Sequence, residues 1–200
     1  MRFLTLRSTG RCKIKPRSGG DRHVGRHHEL ALMYSFGISS TAAPNGVKGE
    51  VRMPTGTVRL HRVLRAPPER VYRAFVVAEA MAKWLPPHGF TCKVHHMDAK
   101  VGGTFRMSFA SFTTGNGHSF GGEYLELVPY ERVRYTDKFD DPNLPGEMQV
   151  TVTLAKVSCG TEVNITQEGV PEVIPLEMCY LGWQESLEQL AALVEPEIPG

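Results

Sequence analysis

Two hundred residues, 41% of them hydrophobic, suit one globular domain with a real core and exclude a wholly disordered chain. The net charge of +2 divides unevenly: residues 1–52 hold ten basic against three acidic side chains, +7, and the remainder carries −5. An acidic folded part is a poor match for phosphate-backbone binding, which draws most of its affinity from lysine and arginine, so nucleic acid is not expected as a partner.

The N-terminal stretch, residues 1–56, is rich in Arg, Gly and Ser and shows no sustained periodicity. It reads as a disordered or weakly ordered basic extension. Three origins compete: an Arg-rich presequence, a basic tail for an acidic partner, or a mis-assigned start with the natural one at Met53. The last is suggested by Lys48-Gly49-Glu50-Val51, which an A/G-rich ribosome-binding sequence can encode. Met1-Arg2-Phe3-Leu4-Thr5-Leu6-Arg7 has too short an apolar core for a secretory signal.

The folded domain is expected over residues 57–196. Val58, Leu60 and Leu64 alternate as in a strand, and Ala66-Pro67-Pro68-Glu69 then opens a helix. Proline is tolerated in a first helical turn, and an acid there faces the positive end of the helix dipole. Val71, Ala74, Phe75, Ala78, Met81 and Leu85 follow at helical spacing up to Trp84-Leu85-Pro86-Pro87-His88-Gly89.

The period then changes to two. Strands are predicted over 91–97, 104–112, 119–128, 132–139, 148–154 and 161–167, joined by short Gly-, Asn- and Pro-containing turns. Connections this short imply an antiparallel meander. After Pro175, Leu176, Tyr180, Trp183, Leu187, Leu190 and Val194 form one apolar helical stripe, which Pro196 ends. An antiparallel sheet with one apolar face, together with such a helix, is solved by curling the sheet around the helix.

Several short motifs carry a resemblance. They are Arg62 before Ala66-Pro67, then Val71-Tyr72-Arg73-Ala74-Phe75, Trp84 and Gly102-Gly103-Thr104-Phe105. Gly122-x-Tyr124-x-Glu126 with Pro129, Tyr135-Thr136 and Gly182-Trp183 complete the set. In order and spacing the chain resembles the activator of Hsp90 ATPase homologue-like branch of the START-like (SRPBCC) superfamily. Relatives tend to carry a second tryptophan where this chain has Leu85. The resemblance implies an α+β helix-grip fold: a curved antiparallel sheet around a long C-terminal helix, with two short helices after the first strand. It also implies a hydrophobic cavity. The namesake's larger N-terminal domain has no counterpart in residues 1–56, so a chaperone partner is disfavoured.

The expected function is therefore binding of a small hydrophobic or amphipathic molecule between the sheet and the last helix, in a stress-response or uncharacterised family protein. The expected lining is Trp84, Phe90, Phe105, Met107, Phe109, Phe120, Tyr124, Tyr135, Met148 and Trp183. An aromatic sheet face reads the same whether it is filled or hollow, so these residues equally suit a packed core. Two alternatives remain: a cyclase- or hydrolase-type enzyme using the same cavity, or a chaperone-interacting module. The inward positions assigned from sequence offer tyrosines and no acid/base pair, so no catalytic residue is named. The resemblance allows homodimers through exposed sheet edges.

No cofactor or metal is expected. His95 and His96 alternate to opposite faces of a strand, and Asp98 does not complete a site with them. His88 reads as a surface loop residue. Cys12, Cys92, Cys159 and Cys179 form no C-x-x-C pair and read as small buried hydrophobes of a cytoplasmic protein. No apolar run approaches the ~20 residues of a membrane span. Arg62, a charge inside an apolar strand, is expected to pair with a carboxylate such as Glu126.

Overall fold

A computed structural model describes residues 55–197. The first strand, β1 (Thr55–Leu64), already takes in Thr55 and Gly56, and the readings made for the basic extension fall outside the described residues. Pro67 and Pro68 then open α1 (Pro68–Val76), with Glu69 in its first turn. Val77 is extended (φ −110°, ψ 122°) and separates α1 from α2 (Ala78–Trp84). The break needs no glycine because Trp84 Nε1–H donates to Ala74 O at 2.8 Å, satisfying a carbonyl that the end of α1 leaves open.

Six strands follow: β2 (Phe90–Met97), β3 (Thr104–Ser111), β4 (Gly117–Val128), β5 (Arg132–Phe139), β6 (Met148–Val157) and β7 (Gly160–Pro171). The last described element is α3 (Leu176–Val194). All seven strands join in one antiparallel sheet of order β1-β7-β6-β5-β4-β3-β2. The meander therefore runs unbroken from β2 to β7, and β1 closes on its far side. This is the α+β helix-grip arrangement that the resemblance implies.

Gly122 is one of the positions where close backbone approach requires glycine. A side chain on Gly122 in β4 would collide with the Thr136 carbonyl of β5, and the next amide, Glu123 N–H, donates to Thr136 Oγ1 at 3.1 Å.

The core lies between the concave sheet face and the helices. Phe75, Trp84, Met107, Tyr124, Val133, Val152, Ile165 and Leu190 are buried together. Phe75 and Trp84 meet edge-on with ring centroids 4.9 Å apart. At one side of the sheet α3 holds β1: Tyr180 Oη accepts from Arg59 N–H at 3.2 Å and Glu195 Oε1 from Arg65 N–H at 3.1 Å.

Sheet order overturns the Arg62–Glu126 pairing. Arg62 on β1 lies opposite Val163 of β7, and β7, β6 and β5 stand between β1 and β4. Glu126 instead takes Arg132 at 3.0 Å and Arg134 at 3.5 Å on the outer face. Glu195 is the acid that Arg62 influences. Its carboxyl is lowered first by the Arg65 amide, with a smaller part from the Arg62 charge.

Candidate functional site

Alternation along the strands directs one set of side chains inward. Phe105 and Phe109 come from β3, His118 and Phe120 from β4, Tyr135, Asp137 and Phe139 from β5, Met148 from β6 and Gln167 from β7. Cys179, Gly182, Trp183 and Ser186 on α3 roof them, and Met81 and Leu85 close one side. The space enclosed is a cavity of about 110 Å³.

Six of the ten sequence-predicted residues meet on this wall: Phe105, Phe109, Phe120, Tyr135, Met148 and Trp183. The other four do not. Trp84 is fully buried under α1, Met107 is fully buried in the core, and Tyr124 directs its hydroxyl to Phe75 O at 3.4 Å. Phe90 begins β2 opposite Ser111, away from the hollow. The interior is filled beneath α1 and hollow beneath the first half of α3, a distinction that strand alternation does not encode.

The polar inventory of the cavity is short. Trp183 Nε1–H donates to Gln167 Oε1 at 2.8 Å, and Gln167 Nε2–H donates to Met148 Sδ at 3.3 Å. Ser186 Oγ–H faces two carbonyls, Leu85 O just after α2 at 2.6 Å and Gly182 O in its own helix at 2.9 Å. Asp137 keeps part of its residue surface in solvent, yet its Oδ1 is shut off from water with no hydrogen-bond partner. Burial pushes the Asp137 carboxyl up to about 7, against a smaller downward pull from the Lys138 amide. Burial likewise pushes His118 down to about 4, with Asp141 opposing, so its imidazole is neutral at pH 7. Tyr135 is raised well above its ordinary value, first by burial and then by the Asp137 charge. The Cys179 thiol is pushed up to about 11 by burial and is not a nucleophile at neutral pH.

Asp137 and His118 are the ionisable pair that sequence reasoning missed. The signal was present: the alternation that turns Tyr135 and Phe120 inward also turns in Asp137, two residues later, and His118, two residues earlier.

The surface histidines also differ from expectation. The register slips between Val94 and His96, so His95 and His96 both reach the outer face, binding Ser108 Oγ at 2.9 Å and Thr104 Oγ1 at 3.0 Å. Even on one face they gain no third ligand: among the described residues no group of three or more His, Cys, Asp or Glu could hold a metal ion. His88 is exposed in its loop, its amide donating to Glu185 Oε2 at 3.0 Å. Cys159 is exposed, not buried, and Cys92 and Cys179 are half-buried. Among the described residues no helix is long and apolar enough to cross a membrane.

Comparison with known proteins follows the same lines. Residues 65–195 match the family model described as Activator of Hsp90 ATPase homolog 1-like protein. The chain is 65% identical to the solved structure of protein CV1439 from Chromobacterium violaceum, covering 70% of this chain and 98% of that one, with a TM-score of 0.70. A structure from Rhizobium leguminosarum is 25% identical, covering 72% and 97% of the two chains, with a TM-score of 0.61. The solution structure of an AHSA1-like protein from Aeromonas hydrophila shares the fold at 21% identity, covering 70% and 92%, with a TM-score of 0.58. No curated protein matches.

Proposed function

The chain belongs to the Activator of Hsp90 ATPase homolog 1-like family, and on that premise we propose that it binds a small hydrophobic or amphipathic molecule in the cavity between the sheet and α3. The observation carrying this reading is the hollow itself, walled by Phe105, Phe109, Phe120 and Trp183 where a packed domain would interdigitate. Ligand sites are mostly apolar with a few placed polar groups, which matches this wall. At about 110 Å³ the space is below that of a drug-sized pocket. It is nearer the roughly 150 Å³ at which an apolar cavity takes up benzene. A ring-sized group fits as it stands, and a longer molecule extends through the mouth or displaces Met81 and Met148, whose side chains deform readily.

The outer sheet face supports a ligand binder over a chaperone partner. Its charges are used within the molecule, Arg106 on Asp140 at 2.9 Å and Arg132 on Glu126 at 3.0 Å, which makes that face polar. The free thiols Cys92, Cys159 and Cys179 support a reducing, cytoplasmic setting.

Native mass spectrometry of the full chain, followed by denaturing extraction, tests the reading. A stoichiometric apolar passenger is expected. If the protein comes through bare, and a panel of small aromatic compounds leaves Trp183 fluorescence unchanged in a Trp84→Phe background, the reading fails. The chain has two tryptophans, so that background isolates the cavity reporter.

One observation favours a second reading, an enzyme using the same space. Asp137, with its carboxyl near 7, has the value a general acid or base needs at neutral pH. An enzyme would carry a different passenger in its Asp137→Asn variant, the unreacted substrate. A binder would carry the same molecule or none.

A further inference from the structure

The polar atoms of the cavity specify which end of an amphiphile goes in. We propose that the cavity accepts a molecule whose buried end is an N–H or O–H hydrogen-bond donor, received by Asp137 Oδ1, and excludes molecules that end in an anion. This rests on the ligand-binding reading above and deepens it.

The Trp183 N–H is spent on Gln167 Oε1, the Gln167 amide faces Met148 Sδ, and the Ser186 hydroxyl is spent on backbone carbonyls. These three donors are therefore engaged within the protein. Asp137 Oδ1 is left over: a buried acceptor with no partner, on the strand between Tyr135 and Phe139, which both line the same hollow. A buried polar atom without a partner is costly, and native proteins keep one where something else completes it.

No lysine or arginine lines the cavity. His118 supplies no positive charge at neutral pH, because burial holds its imidazole neutral. The Tyr135 hydroxyl donates and accepts alike and does not discriminate. A carboxylate or phosphate entering this space would be stripped of water and meet no cation, and above pH 7, where Asp137 is ionised, like charge opposes it as well. An ammonium or hydroxyl end meets the complementary acceptor. Fatty acids and other anionic amphiphiles are thus a poor match despite the apolar wall, and amines or alcohols with a compact apolar body are a good one.

The test is a titration of the full-length, ¹⁵N-labelled protein at pH 8, where Asp137 is ionised, with toluene, benzyl alcohol, benzylamine and benzoate, followed on the Trp183 indole N–H resonance. The alcohol, the amine or both should bind at least about tenfold more tightly than benzoate, a gap of roughly 1.4 kcal/mol. Asp137→Asn, which supplies a donor in place of a carboxylate oxygen, should narrow that gap to about threefold or less. An amine that outbinds the alcohol identifies a cationic head, and the reverse order a neutral one; either supports the proposal. Benzoate binding as tightly as the alcohol and the amine in the unaltered protein overturns it, as does toluene binding alone, and in both cases the cavity reading survives. If none of the four binds, the cavity reading itself fails and takes this inference with it.

Discussion

Trp183 on α3 and Gln167 on β7 share a 2.8 Å hydrogen bond across the cavity wall, indole N–H to amide oxygen. It ties the roof to the sheet at the hollow, where side-chain packing alone cannot. Gln167→Leu leaves the half-buried indole N–H without its acceptor and should cost about 1–3 kcal/mol. The urea midpoint should fall at unchanged slope. Adding Trp183→Phe to Gln167→Leu should cost less than the two single changes summed, since the second removes the orphan that the first creates.

Asp137 and His118 give the protein two opposed pH dependences. The Asp137 carboxyl is raised from 3.8 to about 7, so between those values the folded state holds a proton that the unfolded chain has released. Its stabilising contribution is full below about pH 4 and is lost as pH rises through 7. His118 is lowered from 6.5 to about 4, so in that window the unfolded chain holds the extra proton. Its contribution is full above 6.5 and is lost as pH falls towards 4. Relative to the parent, Asp137→Asn should gain stability at pH 7–8, by a few kcal/mol at most, and show stability rising more steeply with pH. His118→Leu should tilt the profile the other way. Urea unfolding at intervals from pH 4 to pH 8 reads both slopes.

Gly182 sits mid-helix on the cavity roof, and a methyl group there would meet open space. Gly182→Ala should therefore stabilise α3 by up to about 1 kcal/mol, a rise of ~2–4 °C in Tm. The same methyl occupies part of the hollow, so ligand affinity should fall while stability rises. Paired thermal melts and ligand titrations separate the two effects. Loss of stability would show that the roof is already filled.

Phe105 and Phe109 lie two residues apart on one face of β3, both on the cavity wall, but Phe105 is 4% exposed and Phe109 is only half-buried. Phe105→Ala should cost about 3–5 kcal/mol of stability, as for a full core aromatic. Phe109→Ala should cost clearly less stability and weaken ligand binding by about 1–3 kcal/mol. Denaturation and titration of the two variants side by side give the comparison.

Period and punctuation made most of the architecture readable. Pro67-Pro68 and Pro196 bracket the helical ends, and the glycine turns separate strands that fall within a few residues of their predicted bounds. The motifs that carry the family resemblance are mostly scaffold: Trp84 pins the α1–α2 break, Tyr124 fills the core and Gly122 lets β4 lie against β5. That is why family and fold were legible while the cavity was only partly so. Which inward residues face packing and which face the hollow depends on how α3 crosses the sheet, a tertiary property with no local signature. Asp137 was overlooked because a charged residue in a strand is ordinarily assigned outward. Arg62 was given the wrong partner because sheet order, unlike strand existence, is not written in the alternation.

The slipped register beside His95 and the Tyr180 hydroxyl on the Arg59 amide act on opposite margins of the sheet. A strand arriving beside β2 would find its ladder thrown out of step, and one arriving beside β1 would find a rung already taken by α3. Long alternating strands invite copies of a protein to stitch together, and irregular margins are a recognised defence. This chain defends each margin by a different means, so lateral growth of the sheet is discouraged from both ends, and an extended peptide seeking to be read as an eighth strand has no clean place to begin.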